Sequence, residues 1–429
     1  MAVKGLAKGV DTPTLLNTIR ANLNSDYQNR VPIATRENIS EVGSAILEYE
    51  STTNDFLHAL VNRVAMVLIQ SRLYENPLRE FKKGTLEYGT DIEEVFVNIA
   101  EAQAFDPAIA EREVFKRVIP DVEAIFHRLN RKDFYKVTIN MDQLRAAFLG
   151  GRGVDDLIAR IVDSLYSGDN YDEYLIMKQL LINYIEKGLM YPIQVAPITN
   201  EASAKAFTVQ MRAMSTTLGF MSGKYNAQGV LTFTRPEDLI IFLTPQAQAL
   251  IDVEALAAAF NLSYAQFLNR IVIVDNFGSL ENVQAVMVDK NFFVVYDNLF
   301  KFTENYNGQG LYWNYFFHHW QIMSSSQFSN AIVFTTEEST VTSVTLDPTK
   351  ANVAKGGEAK FTATVTTTGM GSKAVAYNLI GDITSAETTI TSEGLLYVGR
   401  DETATTLTVR ALSIQDTTKT ADATVTITA

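Results

Sequence analysis

The chain has 429 residues, 47% of them hydrophobic, and a formal net charge of −13. This length favours two or three domains, the composition is that of a folded chain, and the acidic balance argues against a nucleic-acid reader, which needs a basic surface. The lack of cysteine excludes disulfides, thiol nucleophiles and cysteine-based metal sites. No apolar run reaches the roughly 18 residues of a membrane span, and the N-terminus has no continuous apolar stretch, so a secretory signal is not expected.

The first 60 residues are interpreted as a leading segment with modest apolar content. Leu15, Leu16 and Ile19 recur at helical spacing within residues 11–30. A second helix is predicted around Val42 and Ile46 by the same spacing. Such a segment is either an arm that lies on a neighbouring subunit or a set of helices packed on its own core, and the sequence leaves both open.

Residues 61–100 read as a long hairpin. A strand-like run to Tyr74 precedes the turn-rich ENPLREFKKG, and a second strand with one polar face is expected over 85–99. The predicted tip carries Arg79, Lys82 and Lys83, which are basic residues in an acidic chain. They form either a solvated loop or a contact with the acidic surface of another copy.

Residues 154–188 give the clearest helical periodicity, and two helices are predicted, separated at 168–170. The second, at about 169–188, is expected to be capped by Asp169 and stopped by Gly188. At 1.5 Å per residue it is roughly 27–30 Å long, the length of a scaffold strut. Helical and strand-like pieces then alternate without a regular βαβ period, so the fold class is α+β.

Residues 283–334 carry the most aromatic part of the chain. Strand-forming runs lie on either side of Asn307-Gly308 and Gly310, which favour a chain reversal. The arm after the turn holds six aromatic residues between Tyr312 and Trp320. This pattern predicts a hairpin that closes a large core domain.

The composition changes after the 337–340 segment. Residues 341–429 contain 22 threonines and only 3 of the 44 aromatic residues, in short alternating segments separated by glycines. This is typical of an all-β sandwich of immunoglobulin-domain size.

No constellation of catalytic or metal-binding residues emerges, so no enzyme activity and no cofactor are expected. The four histidines are His58, His127, His318 and His319. The adjacent pair would point to opposite faces of a strand, which is poor geometry for one metal. The acidic cluster of Asp169, Asp172 and Glu173 is interpreted as helix capping and dipole compensation.

Several long segments are similar, in the same order, to the major capsid proteins of phi29-type short-tailed phages. They are VPIATRENISEVGSAIL, NPLREFKKG, HRLNRKDFY, DEYLIMKQL, YIEKGL, DVEALAAAFN, VYDNLFKF, GLYWNYFFHHWQ and SQFSNAIVF. Segments GLLYV, TLTVRA and ATVTIT in the tail resemble a bacterial immunoglobulin-like group-2 (BIG2) domain. That resemblance departs at Tyr377, where such domains usually carry a core tryptophan.

The resemblance implies an HK97-type capsid fold. Residues 1–60 would be the N-arm, 61–336 the capsid core and 341–429 the Ig-like domain. Within the core, 61–100 would be the E-loop, 169–188 the spine helix, 195–275 the axial domain and 283–334 the returning strands of the peripheral domain. No site for covalent cross-linking between subunits can be carried over.

The function implied is self-assembly into an icosahedral or prolate head shell, as pentamers and hexamers. The expected partners are other copies, a scaffolding protein and a portal or connector, in a virion assembled in the host cytoplasm. The shell would enclose double-stranded DNA without specific recognition, and the tail domain would face outward. Candidate flexible points are Gly84, Gly89, Gly150, Gly151 and Gly153. The alternative is a bacterial surface or adhesion protein with an Ig-like binding module.

Overall fold

The structure is a computed structural model that describes residues 12–49, 51–56, 59, 74–86, 91–100, 122–142, 148, 153–251 and 271–428, with the backbone only at 153–163. The first predicted strand of the 61–100 hairpin, the 252–261 segment, His58, Gly89, Gly150 and Gly151 lie outside the described residues. No helix among the described residues is both long and apolar enough to cross a membrane.

The described helices are α1 (Thr12–Asn22), α2 (Ser25–Arg30), α3 (Ile39–Glu48), α4 (Gly153–Glu186), α5 (Glu201–Thr217) and α6 (Pro245–Leu250). The strands of the core are β1 (Lys82–Thr85), β2 (Ile92–Val97), β3 (Val122–His127), β4 (Arg131–Asn140), β5 (Tyr191–Gln194), β6 (Leu239–Leu243), β7 (Ile271–Ile273), β8 (Val283–Asp289), β9 (Phe293–Asn307), β10 (Tyr312–Ser325) and β11 (Ala331–Thr335). The C-terminal strands are β12 (Val341–Asp347), β13 (Lys350–Ala354), β14 (Glu358–Lys360), β15 (Thr362–Thr367), β16 (Val375–Ile380), β17 (Thr389–Ile390), β18 (Leu395–Tyr397), β19 (Thr406–Ser413) and β20 (Thr420–Thr428).

The aromatic hairpin is formed by β9 and β10, with the turn where the glycines predict it. The side chain of Asn307 accepts hydrogen bonds from the backbone N–H groups of Gln309 and Gly310, at 3.0 and 2.9 Å. These bonds fix the turn locally. The hairpin is the centre of a four-stranded sheet in the order β1-β9-β10-β4. The preceding apolar run, β8, is not part of the hairpin but belongs to a second sheet.

The N-terminal helices pack on this aromatic sheet. Leu16, Val42 and Ile46 are buried in one cluster with Trp313 and Phe317 of β10. The burial of these apolar side chains keeps α1 and α3 on the core. In the described residues, therefore, the apolar face of the leading segment is covered by its own chain.

Helix α4 is continuous over 34 residues, so the predicted separation at 168–170 is wrong. Gly168 lies against the ring of Tyr135, and both Asp169 and Asn170 are buried and bonded to other elements. These tertiary contacts outweigh the weak helix propensity of the three residues. Asp169 consequently lies inside the helix and not at its cap.

The end of α4 is as predicted. The N–H of Gly188 donates to the carbonyl of Ile185 and the N–H of Leu189 to that of Tyr184, at 2.8 and 3.1 Å. This is the Schellman arrangement, and the φ of +69° at Gly188 is the left-handed conformation that it requires.

The second sheet has the order β5-β11-β8-β6-β7. Its central strand β8 and its neighbours β6 and β11 are almost entirely buried, since α4 packs on one side and α5 on the other. Beyond Thr335 the chain forms an all-β unit with its own apolar cluster, which includes Phe361, Val409 and Val425. Its largest sheet has the order β13-β20-β19-β16.

Candidate functional site

Lys82 lies in a buried charge network and not at an exposed hairpin tip. Its ammonium is 2.8 Å from a carboxylate oxygen of Glu173 on α4 and 2.9 Å from one of Asp297 on β9. Burial lowers the pKa of Lys82, but the two carboxylates outweigh this and leave it raised above its ordinary value. The ammonium therefore stays charged and joins β1, α4 and β9.

His319 extends the network across β10. Its Nδ1 is 2.8 Å from Asp169 and its Nε2 is 3.1 Å from Asp297. Burial lowers the pKa of His319, but hydrogen bonds to the two carboxylates raise it overall. Arg131 on β4 donates to Asp169 at 2.9 Å and to Asp133 at 2.7 Å, so the network joins α4, β1, β4, β9 and β10.

Glu173, Asp297 and His319 offer ligand atoms within 4.8 Å of one another, a spacing that could hold a metal ion. The ammonium of Lys82 already lies within 2.9 Å of both carboxylates. A metal there would have to displace this cation, so the chemistry of the cluster is that of an internal ion network. The adjacent His318 is less buried than His319, as expected for opposite faces of a strand.

The structure separates the three basic residues predicted for the hairpin tip. Arg79 is exposed in a short helical turn, while Lys82 and Lys83 lie on β1, which pairs in parallel with β9. Lys83 donates to the side chain of Asn291 at 2.9 Å. The prediction that Lys82 and Lys83 lie at a hairpin tip is wrong, because they belong to β1, which pairs through its main chain with β9 of the core. Contact of Arg79 and Lys83 with another copy remains a prediction.

The partner of the predicted second strand is β3, which lies outside the predicted hairpin of residues 61–100. Strands β2 and β3 form an antiparallel two-stranded ribbon. His127 at its base contacts Ser324 at 2.8 Å and Glu94 at 3.1 Å, and Glu94 accepts from Ser326 at 2.6 Å. These bonds attach the ribbon to the end of β10.

The ribbon has apolar side chains on both faces. The face towards the core carries Ile92, Phe96 and Ile125 together with Glu94, Glu123 and His127, whereas apolar side chains dominate the opposite face and are exposed. Five large residues of that face are about half exposed or more: Val95 52%, Val97 55%, Ile99 56%, Val122 52% and Phe126 60%. Such a concentration of exposed apolar surface marks a place where another chain binds.

A second exposed apolar surface is the hairpin at residues 219–234, here called the apolar hairpin. It is closed by a bridge between Ser222 and Thr232. Its large side chains are exposed: Phe220 70%, Met221 46%, Leu231 48% and Phe233 45%. The alternation of Val95, Val97 and Ile99 in the sequence could have revealed the ribbon face, but nothing local indicated the partners of Lys82.

A rigid interior network and apolar faces directed outward define a structural subunit that assembles with other chains. The profile of the Phi29-like phage major capsid proteins matches residues 16–335, and the chain belongs to this family. Its function is therefore structural, as a shell-forming protein of a phage head. The alternative of a bacterial surface or adhesion protein is not favoured, since the family match spans the whole core.

Two relatives support the assignment along nearly the whole chain. The major capsid protein of Bacillus phage B103 is 38% identical over 402 residues, covering 92% of this chain and 89% of the relative. That of Bacillus phage PZA is 37% identical over 401 residues, with the same coverage. Among solved structures, the capsid of Staphylococcus phage Andhra matches with a TM-score of 0.52 at 16% identity, covering 63% of this chain and 86% of that chain. This likeness concerns the fold alone, and it supports the HK97-type capsid fold.

Proposed function

We propose that the chain builds the head shell by placing the outer face of the ribbon against a neighbouring copy. The observation that carries this proposal is the exposed apolar outer face of β2 and β3, whose inner face is attached to the core through His127 and Glu94. Covering that face removes its apolar area from water, and each contact adds to many others in a closed shell of pentamers and hexamers.

The test is a charge placed on the outer face. Val97→Lys and Phe126→Lys should leave the subunit folded but prevent closed shells, seen by negative-stain electron microscopy. Thr364→Lys, on an exposed position of the C-terminal domain, is the matched control and should assemble normally. Normal shells from both ribbon variants would refute the proposal.

The finer domain roles follow from the family resemblance. We assign 1–60 to the N-arm, 61–100 to the E-loop, 169–188, which covers only the second half of α4, to the spine, 195–275 to the axial domain and 283–334 to the peripheral domain. The ribbon continues the E-loop segment, since β2 lies within it. If Arg79 and Lys83 contact acidic neighbours, Arg79→Glu with Lys83→Glu should block shells without unfolding the subunit.

Flexible points are proposed where glycine occurs near these elements. Gly84 has a φ of +130° and open space around it, and Gly153 is the first residue of α4. Together with Gly89, Gly150 and Gly151 they would let one chain occupy non-equivalent positions. Gly84→Ala should reduce the yield of closed shells relative to unassembled subunit, measured by sedimentation, and an unchanged yield would remove this position from the proposal.

The C-terminal domain is proposed to be an Ig-like domain of the BIG2 type that faces outward. Support comes from its separate apolar cluster and from Tyr377, whose ring packs on that cluster where such domains usually carry tryptophan. The hydroxyl of Tyr377 accepts from the N–H of Ala363 at 2.8 Å. Antibodies raised against this domain should bind intact shells, and failure to bind would place it elsewhere.

The remaining partners are a scaffolding protein, a portal or connector, and double-stranded DNA that is enclosed in the host cytoplasm without specific recognition. The charge of −13 supports the last point, because an acidic protein repels phosphates. Purified subunits should not retard duplex DNA even at low salt, where electrostatic binding is strongest. Retardation under those conditions would contradict the proposal.

A further inference from the structure

The C-terminal domain is not loosely tethered to the core. In the connecting segment, the N–H of Thr336 donates to the carbonyl of Asn282 at 2.9 Å. The side chain of Gln415 donates to the carbonyl of Ser339 at 2.7 Å. Met370, from the C-terminal domain, packs against the apolar cluster around α4. The segment is thus bonded on both sides of the boundary.

The C-terminal domain makes close contacts with the core at two glycines. The carbonyl of Gly188, at the end of α4, accepts from the N–H of Lys373 at 2.7 Å. Gly229 lies under Ile414, whose Cδ1 would be only 2.8 Å from a Cβ at that glycine. Ile414 is 8% exposed, so its side chain is almost wholly covered in this position.

Gly229 is itself a residue of the apolar hairpin and lies between the bridged residues Ser222 and Thr232. A Cβ on Gly223 would overlap the carbonyl of Gly229, so the two backbone segments touch without intervening side chains. The side chain of Asn226 holds the connecting turn by bonds to the N–H and carbonyl of Val230, at 3.0 and 2.8 Å. Ile414 therefore contacts the hairpin at Gly229, and Gly229 in turn contacts Gly223 of the same hairpin.

We propose that the C-terminal domain is a positioning element for the apolar hairpin: Ile414 presses on Gly229, and this contact fixes the surface formed by Phe220, Met221, Leu231 and Phe233. Backbone contacts of this kind transmit position because there is no side chain to repack. The domain thereby acts on an exposed apolar surface of its own subunit, in addition to its outward role.

The test is hydrogen exchange of the full-length, unassembled subunit. Ile414→Asp should make the amides of the apolar hairpin exchange roughly tenfold faster or more, because the packing of one buried aliphatic side chain is lost. Ile380→Asp is the matched control, since Ile380 is 41% exposed at the far end of β16. Protection of β19 and β20 shows whether the domain itself remains folded.

Met370→Glu is the second variant, because it disturbs the same interface from a loop. Faster exchange at 219–234 in both interface variants, with β19 and β20 still protected, supports the proposal. Unchanged exchange at 219–234 in either variant whose domain remains folded overturns it, and unfolding of the domain in Ile414→Asp leaves the decision to Met370→Glu. The proposed function concerns the outer face of the ribbon, so this inference about the apolar hairpin stands apart from it. Because exchange is measured on single subunits, shell failure and loss of positioning are distinguished.

Discussion

Replacement of Lys82 by methionine removes the cation between the buried carboxylate of Glu173 and the partly buried one of Asp297, and it keeps most of the side-chain volume. Breaking a buried ion pair costs about 3–5 kcal/mol, because the partner charge is left uncompensated. Glu173 and Asp297 would still accept from Gln321, at 2.6 and 2.7 Å. We therefore expect a loss at the lower end, about 3 kcal/mol in the free energy of unfolding, which lowers the folding equilibrium constant roughly a hundredfold.

Urea unfolding of the unassembled subunit, followed by tryptophan fluorescence, measures this loss. Both tryptophans lie on β10, so the signal reports the sheet that the network holds. Lys83→Met is the control, because the ammonium of Lys83 contacts only the amide oxygen of Asn291 among the bonds described. We expect its free energy of unfolding to change by no more than about 0.5 kcal/mol. A Lys82→Met variant as stable as this control would refute the reasoning.

The same variant has a defined pH dependence. Burial raises the pKa of Glu173, but Lys82 and the amide donors outweigh it, so the pKa is lowered overall. The stabilisation by this carboxylate is present above its ordinary pKa of 4.5 and is lost as the pH falls. Without Lys82 its pKa rises, so the difference in stability between wild type and variant should narrow in acid. As the pH rises above 10.5, the ordinary pKa of Lys82, the ammonium deprotonates and the wild type loses the extra stability that it has over Lys82→Met.

Two further predictions concern other parts of the chain. Glu402 is fully inaccessible, and its carboxylate accepts from the hydroxyl groups of Thr384 and Thr388 and from the backbone N–H groups of Thr384, Ser385 and Ala404; Glu402→Gln should destabilise the C-terminal domain by about 1–3 kcal/mol, measured by calorimetry, and an unchanged melting temperature would contradict this. Gly168→Ala should stabilise α4 by about 0.5–1 kcal/mol, because a Cβ there is 3.6 Å from the nearest ring. Gly43→Ala should instead destabilise the subunit, since its Cβ would be 2.6 Å from Phe148. Equal effects of the two substitutions on the free energy of unfolding would contradict both predictions.

The sequence predicted those elements whose signals are local. The turn at Asn307 and the stop at Gly188 depend on residues within five positions of each other, and both are confirmed. The separation predicted at 168–170 is wrong, because the same residues that disfavour a free helix are satisfied by partners on β4 and β10. Local propensity contains no information about such partners.

The buried network could not be predicted for the same reason. Lys82 lies 91 positions from Glu173 along the chain, and only the pairing of β1 with β9 brings it close. The pairing of β2 with β3 joins segments about 30 residues apart, and local sequence signals do not specify such a partner. For the candidate assembly surface, the apolar residues were visible in the sequence, but the face on which they lie depends on that pairing.

The continuity of α4 has a consequence for the geometry of any container made from this chain. An unbroken helix of 34 residues is a rod about 51 Å long, and a change of only about 5° at one end displaces the other by roughly 4 Å. Because α4 continues through Gly168, the helix has no break at its middle. We therefore expect the curvature of the shell to arise at the ends of α4 and at the contacts between subunits.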